Sequence, residues 1–217
     1  MSLTFPLVQA DFIDLLMVGS FAIDCPERVE TSVTAGGDRL DREIGPRLWQ
    51  GSISLGRMTP AEAAEAAALI DLVRGAGASF LIHDLHRPYP AGDPAGMILG
   101  AAAPTVSAID PDRRTLTVGG LPAAYVLSRG DLLGLSYGAA PLRRTLHRIV
   151  TGGIASGAGS VSIEVVPALP TPILTGAPVE LSRPAITARI VSGSTRPGTG
   201  TRFVTEGATF SFAQTMR

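Results

Sequence analysis

Short stretches of alternating apolar and polar residues, punctuated by glycine and proline, dominate the chain. Residues 28–34 alternate, placing Val29, Thr31 and Val33 on one face and Glu30, Ser32 and Thr34 on the other, the period-two pattern of a strand. Gly36-Gly37-Asp38 then signals a turn. Residues 48–55 alternate again, with Trp49, Gly51, Ile53 and Leu55 on one side, and 20–24 is a short apolar run. Trp49 is the sole tryptophan and is expected to anchor a core rather than to stack on a ligand. Residues 78–84 form another strand candidate, with Phe80 and Ile82 on one face.

One stretch has helical spacing. Thr59-Pro60-Ala61-Glu62 reads as a capping box with proline at the first helical position. Ala66, Leu69, Ile70 and Val73 recur at helical intervals, and Gly75 is a natural stop. The early turns are nearly all alanine, which lets a helix backbone lie close on a β face.

Beyond a Pro- and Gly-rich loop at 86–96, five short strand candidates follow at 105–109, 115–118, 131–136, 144–150 and 160–166. That spacing fits a small OB-like β-barrel better than βαβ units. Pro167, Pro170, Pro172 and Pro178 mark an extended connector, and strand candidates at 179–191 and 201–214 close the chain, the latter with Phe210 and Phe212 on one face. The expected class is mainly β (α+β). A β-sandwich with one flanking helix, built from 1–98 and 177–217, is interrupted by an OB-like barrel at 99–176.

Composition narrows the function. The chain has 217 residues, 45% hydrophobic and 17% charged, with a formal net charge of −1. These values exclude whole-chain disorder and a generally basic nucleic-acid binder. They suit one large or two small domains. All cations are arginine; coding bias explains this more simply than selection for interfacial Arg forks. Without lysine there is no Walker A loop and no Schiff-base chemistry. Cys25 is the single cysteine, so no intramolecular disulfide or Cys-rich metal site can form, and it is expected to be a small buried hydrophobe. No signal peptide is read at the N-terminus and no run approaches the ~18 apolar residues of a membrane span. The expectation is a soluble protein made in a reducing compartment.

Candidate chemistry is sparse. His83, Asp84, His86 and Asp93 could supply two imidazoles and carboxylates to zinc or iron, but on a strand His83 and His86 point to opposite faces. His147 lies in the other module. Gly75-Ala76-Gly77 follows a helix, the wrong context for a dinucleotide loop, and no G-x-S-x-G elbow occurs. Asp110 and Asp112 read as a turn. Arg143, Arg144, His147 and Arg148 suggest a basic stripe, with Tyr125 and Tyr137 as the module's only aromatics. A solvated face or subunit contact is the simpler reading of that stripe. Residues 190–201 are expected to form a mobile loop that orders on assembly, and Arg42, Arg47 and Arg57 to meet neighbouring subunits.

The order of features resembles the distal tail protein family of long-tailed bacteriophages, the ring of the siphophage tail tip or baseplate. Arg47-Leu48-Trp49, the Thr59-Pro60-Ala61-Glu62 helix through Arg74, and the Gly77-to-Phe80 run into a strand carry the resemblance. Pro90-Ala91-Gly92, Gly130-Asp131 and the apolar return ending at Ala213 continue it. The resemblance implies a tail-tube-like sandwich domain and a hexameric ring between the tail tube protein and the tail-tip hub. It implies a structural virion protein assembled in the bacterial host cytoplasm, with DNA passing through the lumen without sequence readout. No catalytic residue, cofactor, metal or membrane insertion is expected. The alternatives are another tail-tip protein such as a hub, a carbohydrate- or host-surface-binding β module using Tyr125 and Tyr137, and a metal enzyme using His83 and His86.

Overall fold

The computed structural model describes residues 4–216. In chain order its strands and helix are β1 (Val18–Asp24), β2 (Val29–Val33), β3 (Arg39–Glu43), β4 (Gln50–Leu55), α1 (Pro60–Val73), β5 (Phe80–Ile82), β6 (Thr105–Ile109) and β7 (Thr115–Gly119). There follow β8 (Val126–Leu127), β9 (Leu132–Tyr137), β10 (Arg143–Thr151), β11 (Gly153–Ile154), β12 (Val161–Val166), β13 (Val179–Glu180), β14 (Ile186–Ile190), β15 (Arg196–Gly200) and β16 (Thr205–Gln214). The protein is mainly β, and α1 is the one α-helix among the described residues. Among the described residues no helix is long and apolar enough to cross a membrane.

The first sheet has the order β1-β4-β16-β14-β5, with β15 also paired to β16. Its inner face follows from strict alternation along β16. Ala208, Phe210, Phe212 and Gln214 are buried, while Thr209, Ser211 and Ala213 between them are half-exposed. Phe12, Phe80, Phe210 and Phe212 pack together there with ring centroids 4.8–6.5 Å apart. Fully burying each such side chain contributes roughly 2–3 kcal/mol. The helix α1 covers this face through Ala66, Ile70 and Val73, spaced for one stripe. The capping box is present as expected: the Glu62 amide donates to Thr59 Oγ1 at 3.4 Å and the Thr59 amide to Glu62 Oε2 at 2.8 Å.

The second sheet has the order β13-β9-β10-β12-β7-β6. Its two ends are stitched together, since the Val106 amide donates to the Ala177 carbonyl and the Gly176 amide to the Val106 carbonyl. The sheet therefore curls around its own core of Val106, Leu116, Val118, Leu133, Leu135, Ile149, Ile163 and Val165. That core reaches on to Val179 and Leu181. Arg113, held at φ 55, donates to the carbonyls of Leu169, Pro170 and Ile173 and so pins the Pro-rich connector against the turn before β7.

The two halves share a seam. Leu132 and Leu146 turn away from the second core and join the first. Trp49, 1% exposed, donates its indole N–H to the Leu146 carbonyl at 2.7 Å. Gln214 accepts the Trp49 amide and donates to the Arg144 carbonyl. The core-anchor expectation for Trp49 holds.

Two expectations fail. Residues 179–191 are not one strand: Arg183 takes φ 48 and Pro184 follows, so β13 and β14 are separate and join different sheets. Residues 190–201 are not a loop throughout, because β15 pairs with β16 from Arg196↔Thr209 to Gly200↔Thr205.

Candidate functional site

The β2–β3 hairpin is the most unusual surface. Its strands pair in full register, from Val29↔Glu43 to Val33↔Arg39. The turn is closed by the Thr34 and Gly37 amides, which donate to the carbonyls of Asp38 and Thr34, and Gly37 sits at φ 89 where a side chain would be strained. Across the strands Thr31 donates to Asp41 and Arg39 bridges the same carboxylate. The predicted apolar face of Val29, Thr31 and Val33 exists, but it stands opposite Arg39, Asp41 and Glu43, with Thr31 and Val33 exposed and Val29 only half-buried. Val33 is 68% exposed and Leu40, on the other face, 57%. Isolated two-stranded ribbons are marginal in water, so a hairpin with apolar side chains on both faces is suited to packing against another surface. The sequence signal was present in the charges at Glu30, Arg39, Asp41, Arg42 and Glu43, too many on both faces for a buried strand.

A second hairpin, β15–β16, ends in a turn where Phe203 is 74% exposed and lies under the Arg202 guanidinium, 5.5 Å from the ring centroid. Between this hairpin and α1 runs an apolar groove of about 270 Å³, lined by Leu55, Met58, Ala66, Ile70 and Pro197 and rimmed by Arg74 and Arg196. Strand β1 pairs only with β4, so its other edge is open.

The residues singled out for chemistry are dispersed. No group of three or more His, Cys, Asp or Glu able to hold a metal occurs among the described residues. His83 is buried with Nδ1 unpartnered, while His86 is exposed and donates from Nε2 to the Phe21 carbonyl at 3.0 Å. Asp84 accepts the His86 amide, and Asp93 accepts the amides of Ile98 and Leu99 and the Tyr125 hydroxyl. Both carboxylates therefore shape loops. Burial pushes His83 down to about 4, helped by the Arg183 guanidinium and opposed by Asp14 and Asp84.

The basic stripe is not a stripe. Strand alternation sends His147 into the second core, where it contacts Thr145 and the Pro167 carbonyl, and burial pushes it down to about 4. Arg144 pairs with Glu180, Arg143 donates to the Met216 carbonyl, and Arg148 lies over the Trp49 ring at 5.2 Å. Tyr125 is 2% exposed, which removes it as a sugar platform, while Tyr137 is half-buried against the same core. Cys25 is half-buried, and burial is the main cause that raises its thiol to about 11, the wrong direction for a nucleophile. Arg57 pairs with Glu206 and Arg47 approaches Glu43 at 4.0 Å, while Arg42 stays exposed on the hairpin. Residues missed in the sequence include Asp131, whose buried carboxylate accepts the amides of Ala91 and Ser128.

No family model matches the chain, and no curated protein matches it.

Proposed function

We propose that the chain is a structural ring subunit at the distal end of a long-tailed phage tail, joining the tail tube to the tail-tip hub or baseplate. In this reading the half containing α1 is a tail-tube-like sandwich and builds a hexameric ring. The curled second sheet is an OB-like module facing outward. DNA passes through the lumen without sequence readout, and the protein has no enzymatic role.

The observation that carries the reading is the β2–β3 hairpin, with Val33, Leu40 and Ile44 all more than half exposed. Apolar side chains on both faces of an unsupported ribbon suit a segment that is covered by neighbouring copies. The open edge of β1 and the exposed Phe203 turn offer further contacts on the same half. The order of sequence features resembling distal tail proteins supplies the particular assembly.

Sedimentation velocity of the purified chain, alone and with tail tube protein, tests this. The expected result is a closed oligomer, six copies in the ring, and its loss in a Val33→Glu/Leu40→Glu variant whose melting is unchanged. A strict monomer at high concentration that forms no ring with tube protein overturns it.

A further inference from the structure

A polar cleft of about 600 Å³ lies between the two halves, lined by Phe21, Ile23, His86, Arg87, Leu132 and Arg148 among others. Its size falls in the range of small-molecule sites, roughly 300–1,000 Å³. One wall is the open edge of β1, where the Phe21 carbonyl is already engaged by His86. The opposite wall is the β9–β10 pair, on which Arg148 stands directly across from Leu132. Arg87 closes a third side and is tied to Gly130 of the turn before β9 by one long bond of 3.4 Å to its carbonyl.

The charges here are unbalanced in a particular way. Neither Arg87 nor Arg148 belongs to any ion pair among the described residues. Arg148 is held by its stack on Trp49, which fixes its position and leaves its N–H donors free. The one lining carboxylate, Asp84, is buried and spends an oxygen on the His86 amide. The neighbouring Asp131 has both oxygens on amides. The cleft thus carries two guanidinium forks without ion-pair partners against one lining carboxylate, Asp84, which keeps one oxygen on the His86 amide.

We propose that this cleft binds a small molecule carrying oxyanion groups, phosphate or carboxylate, gripped between Arg87 and Arg148. Guanidinium forks match both anions with paired charge-assisted hydrogen bonds. Because the two forks stand on separate walls, a ligand with two anionic groups engages both, and a single anion engages one at a time. This binding does not depend on the chain forming a ring.

Calorimetric titration of the whole chain with pyrophosphate, citrate and inorganic phosphate, in low-salt chloride buffer, tests the proposal. Pyrophosphate and citrate separate phosphate from carboxylate preference. The expected result is saturable one-to-one binding of at least one of them, tighter than inorganic phosphate. Arg87→Gln and Arg148→Gln should each weaken it at least about tenfold, and Arg148→Lys by less. Arg202→Gln, at the far hairpin turn, should leave it unchanged. Arg87 is exposed and makes a single bond, so its variant keeps the fold, and thermal melting verifies this. No saturation by about 10 mM of any probe, or equal binding by the Arg87→Gln/Arg148→Gln variant, overturns the proposal.

Discussion

Trp49 donates its indole N–H to the carbonyl of Leu146 at 2.7 Å, tying the strand β4 end of the first sheet to the middle of β10 in the second. The bond is buried at both ends, so removing the donor leaves a carbonyl without water. Trp49→Phe keeps most of the apolar packing and is expected to cost about 1–3 kcal/mol of unfolding free energy. Chemical denaturation measures it. Since Trp49 is the only tryptophan, its fluorescence reports the same seam, with blue-shifted emission in the folded chain. A loss below ~0.5 kcal/mol would show that the bond across the seam adds nothing net.

The start of α1 gives a second expectation. Thr59 Oγ1 accepts the Glu62 amide, and Glu62 Oε2 accepts both the amide and the hydroxyl of Thr59. Thr59→Ala removes one half of this exchange and should cost ~1 kcal/mol, while Thr59→Ser should be nearly neutral. The denaturation midpoint should move with an unchanged slope. Equal stability of the alanine and serine variants would mean that water replaces the cap without cost.

Local signals in the sequence were legible wherever one segment carried its own partner. The Thr59–Glu62 box needs only residues three apart, and the alternation around Phe210 and Phe212 needs only one buried side. Five of the six strands of the second sheet, β6, β7, β9, β10 and β12, fall at their predicted places to within a residue or so. What failed depended on distant partners. Val29, Thr31 and Val33 alternate as a core strand does, yet Thr31 and Val33 are exposed and Val29 is only half-buried. A period-two pattern states which side chains share a face, not whether that face is covered. The stripe of Arg143, Arg144, His147 and Arg148 failed for the opposite reason: neighbours in sequence were grouped although strand pleating divides them. The cleft between Arg87 and Arg148 joins residues more than sixty positions apart and had no local signature.

Gly51 is expected to be intolerant of any side chain. A Cβ there would collide with the Ala22 carbonyl on β1 and lie 2.5 Å from the Phe212 ring. Both neighbours are fixed, one by strand pairing and one by the aromatic core. Gly51→Ala should therefore destabilise by roughly 1–3 kcal/mol or more through overpacking. Gly157→Ala is the matched control, since nothing lies within 4 Å of its Cβ position. It should stay within about 0.5 kcal/mol of the parent. Similar melting of the two variants would show that β1 moves freely away from β4.

The buried histidines set the acid limit of stability. His83 and His147 are both held near 4, against an ordinary value of 6.5, chiefly because burial disfavours the imidazolium. The Pro167 carbonyl partly opposes the shift at His147. Between these values the unfolded chain binds more protons than the folded one, so stability falls as pH falls. Their stabilisation is complete above 6.5 and is lost progressively down to about 4. The slope within that window is at most roughly 1.4 kcal/mol per pH unit for each histidine. The carboxylates act in a lower window: Asp93 and Asp112 are held below 3.8, Asp112 mainly by the amides of Arg114 and Thr115, and Asp93 by those of residues 97–99 against the pull of burial. Their contribution is lost only as pH falls through that lower range. Denaturation midpoints should hence be flat above neutrality and drop below about 6.5. Imidazole NMR signals of both residues should remain those of the neutral ring down to about pH 5. A midpoint that stays level from pH 7 to about 5, or either ring titrating near 6.5, would contradict the burial on which this argument rests.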